Sequence, residues 1–174
     1  MRCRAYYRFG LTYFEVLISL IILSVAIAAG MRAFGSFSAG ARQAEDRIAA
    51  IELANQLMTE IVFLPFEDPL VSGSFGLEQS EATAFAAGNR PLLDDVDDYN
   101  GWNFSPPRDR SGVVMTDYAD YRQQVNVAFA QNISTSSGIP VPSAYVKLIT
   151  VKVLRGNREL ARLVTLRTKY AGSN

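Results

Sequence analysis

The 174-residue chain reads as an α+β protein, with a long N-terminal α-helix and a small antiparallel β-sheet packed on the helix's second half. Three observations lead there. An uncharged apolar run extends from Val16 to Met31, a proline-free stretch with helical spacing follows from Ala41 to Leu64, and the last third carries segments in which apolar and polar residues alternate. The apolar fraction of 49% suffices for one compact core beside a membrane helix. The expected organisation is 1–10 as a leader, 11–40 as a membrane-spanning half-helix, 41–64 as an amphipathic half-helix, and 65–174 as a globular domain.

The apolar run is long enough to cross most of a bilayer, yet Glu15 lies at its start, and an acid in mid-membrane costs about 2.5–3.5 kcal/mol. Such a carboxylate needs neutralisation or a partner. Cutting the chain after Gly10 creates an amine on Leu11, four residues before Glu15 and about 6 Å away in helical rise. That amine also reaches Glu15 of a neighbouring copy, which turns neutralisation into an assembly rule.

Arg2, Arg4 and Arg8, then Gly10, Thr12, Phe14, Glu15 and the apolar helix together resemble the type IV prepilin-like proteins: pilins, minor pilins and the pseudopilins of type II secretion. The resemblance implies cleavage after Gly10 and N-methylation of Leu11 by a prepilin peptidase, with Phe9, Gly10 and Leu11 as the recognised residues. It also implies assembly through Leu11, Thr12 and Glu15 into a filament with other pilin or pseudopilin subunits. Leu11 departs from the Phe or Met usual in the family, and Glu15 distinguishes the chain from tip-capping pseudopilins that lack the acid. A second resemblance covers the middle third. Phe66-Glu67-Asp68-Pro69, Phe75-Gly76-Leu77-Glu78 and the run from Asp94 to Trp102 are similar to the minor pilin family of the mannose-sensitive haemagglutinin pilus.

Two rival readings use the same N-terminus. An ordinary secretory signal would be cut near Ala26-Ile27-Ala28, although an apolar signal core of about 7–15 residues seldom starts beside a glutamate. A plain single-span anchor explains the run but leaves Gly10 and Glu15 as coincidences. In every case the leader arginines keep the N-terminus cytoplasmic and send the long C-terminal part across the membrane.

Net charge is zero for the full chain, with 17 basic and 17 acidic residues. Removing the leader takes away three arginines and leaves a mildly acidic product with no basic stripe, so no nucleic-acid partner is expected. The single cysteine, Cys3, falls in the leader, so no disulfide forms in the processed product.

From Ala41 to Leu64, residues Ala50, Ile51, Ala54, Leu57, Met58 and Ile61 share one helical face, expected to pack on the sheet. Pro65 ends the helix by restricting the residue before it. Gly30, Gly35 and Gly40 each cost about 1 kcal/mol relative to alanine inside a helix, marking either a zone that loosens on assembly or close packing between helices. From Pro65 to Gly112, glycines and prolines punctuate a stretch too long for a structureless loop, which predicts short elements within it. Strands are predicted at Tyr121–Ala130, Tyr145–Arg155 and Glu159–Tyr170, the last two joined at Gly156-Asn157 as a hairpin.

The densest cluster of charge is Asp94-Asp95-Val96-Asp97-Asp98. Acids this close repel one another and need a cation, arginines such as Arg90, Arg108 or Arg110, or turn amides. Calcium on Asp94, Asp95, Asp97 and Asp98 is one expectation, since oxygen-rich loops suit that ion and some pseudopilins hold it in a loop. No EF-hand register fits, because aligning Gly101 with the loop glycine puts Val96 first and Pro107 last.

Catalytic equipment is sparse. There is no histidine, no cysteine beyond the leader, no phosphate-binding glycine loop and no nucleophile elbow, so no enzyme and no catalytic residues are expected. Asp117 and Asp120 beside Tyr118 and Tyr121 read as solvated turn groups rather than a glycosidase pair. Trp102, with Tyr99 and Phe104, reads as a buried anchor of the loop rather than a ligand platform.

The reading is a minor pilin-like structural subunit. It is single-pass in the inner membrane with a periplasmic domain before assembly, and part of a pilus or pseudopilus afterwards. The alternatives are a type II secretion minor pseudopilin and, from a different class, a membrane-anchored periplasmic binding domain.

Overall fold

The computed structural model describes residues 12–69, 75–79, 81–131 and 143–169. Its elements are α1 (Tyr13–Val62), α2 (Ala82–Ala87), β1 (Asn103–Phe104), β2 (Tyr121–Phe129), β3 (Val146–Arg155) and β4 (Arg158–Thr168), with short 3-10 turns at Asp97–Tyr99, Thr116–Tyr118 and Ser143–Tyr145. The α+β arrangement predicted from the sequence is the one observed. The chain divides into two units, residues 1–45 and 46–174.

In the first unit α1 is unbroken through Gly30, Gly35 and Gly40, and a Cβ at any of the three would meet nothing within 4 Å. The apolar side chains of this half are exposed, Tyr13 at 80% and Met31 at 72% among them. An 18-residue window within α1 reaches a mean hydropathy of 2.4 with none of it buried, so this helix is long and apolar enough to cross a membrane.

The second unit is built on the remainder of α1. Ala50, Leu53, Ala54, Leu57 and Ile61 are buried there, at the spacing of one helical stripe. They join Val125 and Val127 of β2 and Ile149, Val151 and Val153 of β3 in a single core. The predicted face needs a correction at its edge: Ile51 is 40% exposed and Leu53, on the opposite flank of the same stripe, is buried instead, which turns the centre of the buried face by about 40° at 100° per residue. Below the core, Gln123 on the sheet's inner face donates to the Leu53 carbonyl at 3.2 Å.

The sheet is a meander, β1-β2-β3-β4, every pair antiparallel. Burial alternates along β3, where Lys147, Ile149, Val151 and Val153 face the helix and Leu148, Thr150 and Lys152 face away. The predicted strands match to within a residue or two, and the β3–β4 turn sits at Gly156, whose φ of +58° favours glycine. The loop-rich stretch resolves into α2, one 3-10 turn and β1. Helix α2 closes on Gly88 (φ +72°), where a Cβ would lie 2.2 Å from Cδ of Arg108, so both the turn and the neighbour exclude a side chain. The predicted connection from Asn132 to Pro142 lies outside the described residues.

The helical stripe separates two substitutions of similar size. Leu57→Ala is expected to destabilise the second unit by about 2–5 kcal/mol, and Ile51→Ala by less than about 1 kcal/mol, read by urea unfolding of the detergent-solubilised full chain through Trp102 fluorescence.

Candidate functional site

Two regions hold the residues singled out from the sequence: the start of α1 and the acidic loop. Phe9, Gly10 and Leu11 lie outside the described residues. Thr12 and Glu15 are within them and contact each other. The Glu15 carboxylate accepts from the Thr12 amide at 3.3 Å, and the Thr12 hydroxyl accepts from the Glu15 amide at 3.4 Å. This is the reciprocal Thr-x-x-Glu capping box, which satisfies two otherwise orphaned donors at a helix start. The sequence carried that signal in plain view, Thr12 and Glu15 three residues apart ahead of an apolar run.

In the second unit the acids from Asp94 to Asp98 are folded inward. Asp95, Asp97 and Asp98 are all at most 2% exposed. Each has its own task. Asp95 accepts from the amides of Asp97 at 2.7 Å and Asp98 at 3.1 Å, capping the 3-10 turn. Asp98 turns back, its Oδ2 accepting from the amides of Asp94 at 3.0 Å and Asp95 at 3.1 Å. Asp97 accepts from the Gly76 amide at 2.7 Å and forms an ion pair with Lys147. Asp95 and Asp98 are thus held by turn amides, and Asp97 by the Gly76 amide and Lys147.

The offsetting cation is Lys147, a residue that sequence reading passed over as part of a strand. It stands on the helix-facing side of β3, 1% exposed, and its ammonium also donates to the Phe66 carbonyl. The ammonium lies 4.5 Å from the Phe66 ring centre and 5.7 Å from that of Phe75, so aromatic faces complete its shell. The arginines expected to help are engaged elsewhere. Arg90 pairs with Glu60 of α1 at 3.3 Å, Arg110 approaches Glu60 at 3.7 Å, and Arg108 donates to the Gly112 carbonyl at 2.8 Å.

Burial leaves a trace on the titration of the loop. Asp95 is pushed up to about 7, chiefly by burial and then by the neighbouring charges of Asp98 and Asp97. Glu81 is pushed up to about 8, first by burial and then by its contact with Glu78. Tyr99 is held protonated by burial beside Glu60, to which its hydroxyl donates at 2.9 Å.

The aromatic cluster is the loop anchor expected from the sequence. Trp102 is 1% exposed and packs on Phe104 at 4.4 Å, Phe85 at 5.5 Å and Tyr99 at 6.0 Å between ring centres, with the Arg90 guanidinium 5.4 Å away over its face. Asp117 and Asp120 are exposed; Asp120 accepts from Arg155 at 3.3 Å. On the sheet's outer face, Asn103, Gln124, Asn126, Thr150 and Lys152 rim an open depression of about 220 Å³.

Comparison of the chain with protein families, with curated proteins and with solved structures finds no match.

Replacing Lys147 by Met leaves the Asp97 carboxylate buried without its cation, at an expected cost of about 3–5 kcal/mol. Adding Asp97→Asn to that variant removes the stranded charge and should recover at least about 1 kcal/mol, so the two changes fall short of additivity in a urea unfolding cycle.

Proposed function

We propose that the chain is a single-pass, prepilin-like structural subunit, a minor pilin that is cut after Gly10 and assembled into a type IV pilus-like filament. One observation carries this reading: α1 is a continuous helix whose first half is apolar and bare while its second half is packed in a core, with an acid at the head of the bare half. A bare apolar helix needs lipid or the helices of other subunits around it, and a filament of stacked helices supplies the second once the subunit leaves the first.

In this reading Glu15 receives the Leu11 amine of the adjacent subunit. The capping box with Thr12 holds the carboxylate at the helix start until that amine arrives. Prepilin peptidase, the inner membrane and other pilin or pseudopilin subunits are the partners, and the second unit faces the periplasm. A secretion pseudopilin would use the same helix in the same way.

The depression on the outer face of the sheet favours a second reading, a membrane-anchored periplasmic binding domain. Its carboxamides and Lys152 suit a polar ligand, and it needs neither a cut after Gly10 nor a filament.

N-terminal sequencing of membrane-extracted protein separates these readings. A start at Leu11 is expected, whereas a start near Ala29 or an intact Met1 would overturn the subunit assignment. Glu15→Ala is expected to be processed normally and to enter filaments at least tenfold less than wild type by immunoblot of sheared fractions; normal incorporation would refute the pairing.

A further inference from the structure

Glu78, Glu81 and Asp98 each offer one carboxylate oxygen to a cluster in which all three oxygens lie within 4.8 Å of one another. Asp98 is fully buried, Glu81 is 6% exposed and Glu78 is half-buried. The backbone has used one side of the cluster. Oδ2 of Asp98 accepts from two amides of its own loop, and Oε2 of Glu81 accepts from the Glu78 amide at 3.2 Å. What remains is unusual for an interior: Oδ1 of Asp98 and Oε2 of Glu78 are both buried with no hydrogen-bond donor.

No basic side chain answers them among the described residues. Lys147 is taken by Asp97, Arg90 by Glu60 and Lys169 by Glu67. Asp94 adds to the negative field, with its own Oδ1 buried and without a donor. Carboxyl groups gathered out of water, with acceptor oxygens left over, are answered either by a proton shared among them or by a bound cation that displaces it.

The geometry points to a binding site for a calcium-sized divalent cation held by Glu78, Glu81 and Asp98. Three oxygens that all lie within 4.8 Å of one another share a point no more than about 2.8 Å from each, so the roughly 2.3–2.6 Å that calcium prefers needs at most a small contraction. The ligand set is all oxygen, with neither imidazole nor thiolate, which suits a hard ion. Magnesium would need shorter contacts at about 2.0–2.1 Å and near-octahedral order, a larger movement of side chains whose backbone contacts already fix them. The open coordination positions fall to water. Of the acids in the run from Asp94 to Asp98, Asp98 is the one whose oxygen falls in this cluster.

Bound there, the ion ties the segment that leads into α2 to the 3-10 turn at Asp97–Tyr99. Trp102 lies four residues beyond Asp98 and packs on Phe85 of α2, so the chain's single tryptophan is a built-in reporter.

The test uses the full chain in detergent, stripped with EDTA and dialysed. Calcium is expected to bind at one ion per chain by calorimetry in the about 10⁻⁴–10⁻³ M range of extracellular modules, to raise the unfolding temperature and to shift Trp102 emission, with magnesium at least tenfold weaker. Glu78→Gln, the half-buried and least disruptive change, should weaken calcium at least tenfold and keep the Trp102 spectrum of the stripped wild type. Glu81→Gln should do the same, and Asp117→Asn, an exposed acid elsewhere, should change nothing. Absence of calcium binding at 1 mM (about the upper end of that range), or wild-type affinity in folded Glu78→Gln, would overturn the site.

Discussion

A single buried ammonium organises the second unit. Lys147 projects from the helix-facing side of β3 into a shell made by the Asp97 carboxylate, the Phe66 carbonyl and the rings of Phe66 and Phe75. Those partners come from both ends of the segment between α1 and β1. A stretch rich in glycine and proline has little regular structure to hold it, so its position depends on such long-range contacts. The charge is affordable because it is fully answered; a half-answered one would cost more than an apolar residue in the same place. Once the ammonium fixes Asp97, the neighbouring acids follow as turn caps, and Tyr99 and Trp102 are delivered to the core.

A second anchor runs to α1. Glu60 receives the Tyr99 hydroxyl and the Arg90 guanidinium, so the loop is fastened to the sheet by Lys147 and to the helix by Glu60. The first half of the same helix follows a different logic. Its apolar side chains are exposed, and its acid is engaged by Thr12 at the helix start. For the proposed filament this changes the energetics of joining. A neighbour's amine meets not a naked carboxylate but one that already accepts from the Thr12 amide, so the gain is the difference between an ion pair with an ammonium and a bond from a neutral amide.

The large elements were legible because their signals are periodic and local. The spacing from Ala50 to Ile61, the alternation in β3 and the Gly156 turn each fix an element from a dozen residues or fewer. The edge of the helical face is not legible, because Ile51 and Leu53 are equally apolar and only the position of the sheet decides between them. The acidic run was legible as a cluster but not as an arrangement. Lys147 is about fifty positions away in the sequence, and nothing in the alternation of β3 marks an inward lysine as a partner of Asp97. The grouping of Glu78 and Glu81 with Asp98 was equally hidden, since the chain must fold back through α2 before those residues meet. The capping box, by contrast, is legible in the three-residue spacing of Thr12 and Glu15 ahead of an apolar run.

The order of elements along the chain has a consequence for biosynthesis. The apolar stripe of Leu53, Leu57 and Ile61 is made early, while Ile149, Val151 and Val153, which cover it, follow roughly ninety residues later. At a translation rate of about 5–20 residues per second, that stripe waits about 5–20 s for its sheet. The meander itself closes quickly, because each strand pairs with its neighbour in sequence. The slow event is therefore the docking of a finished sheet onto a helix that has been exposed since before the sheet existed, and a nascent chain in that interval is the form most open to aggregation and proteolysis.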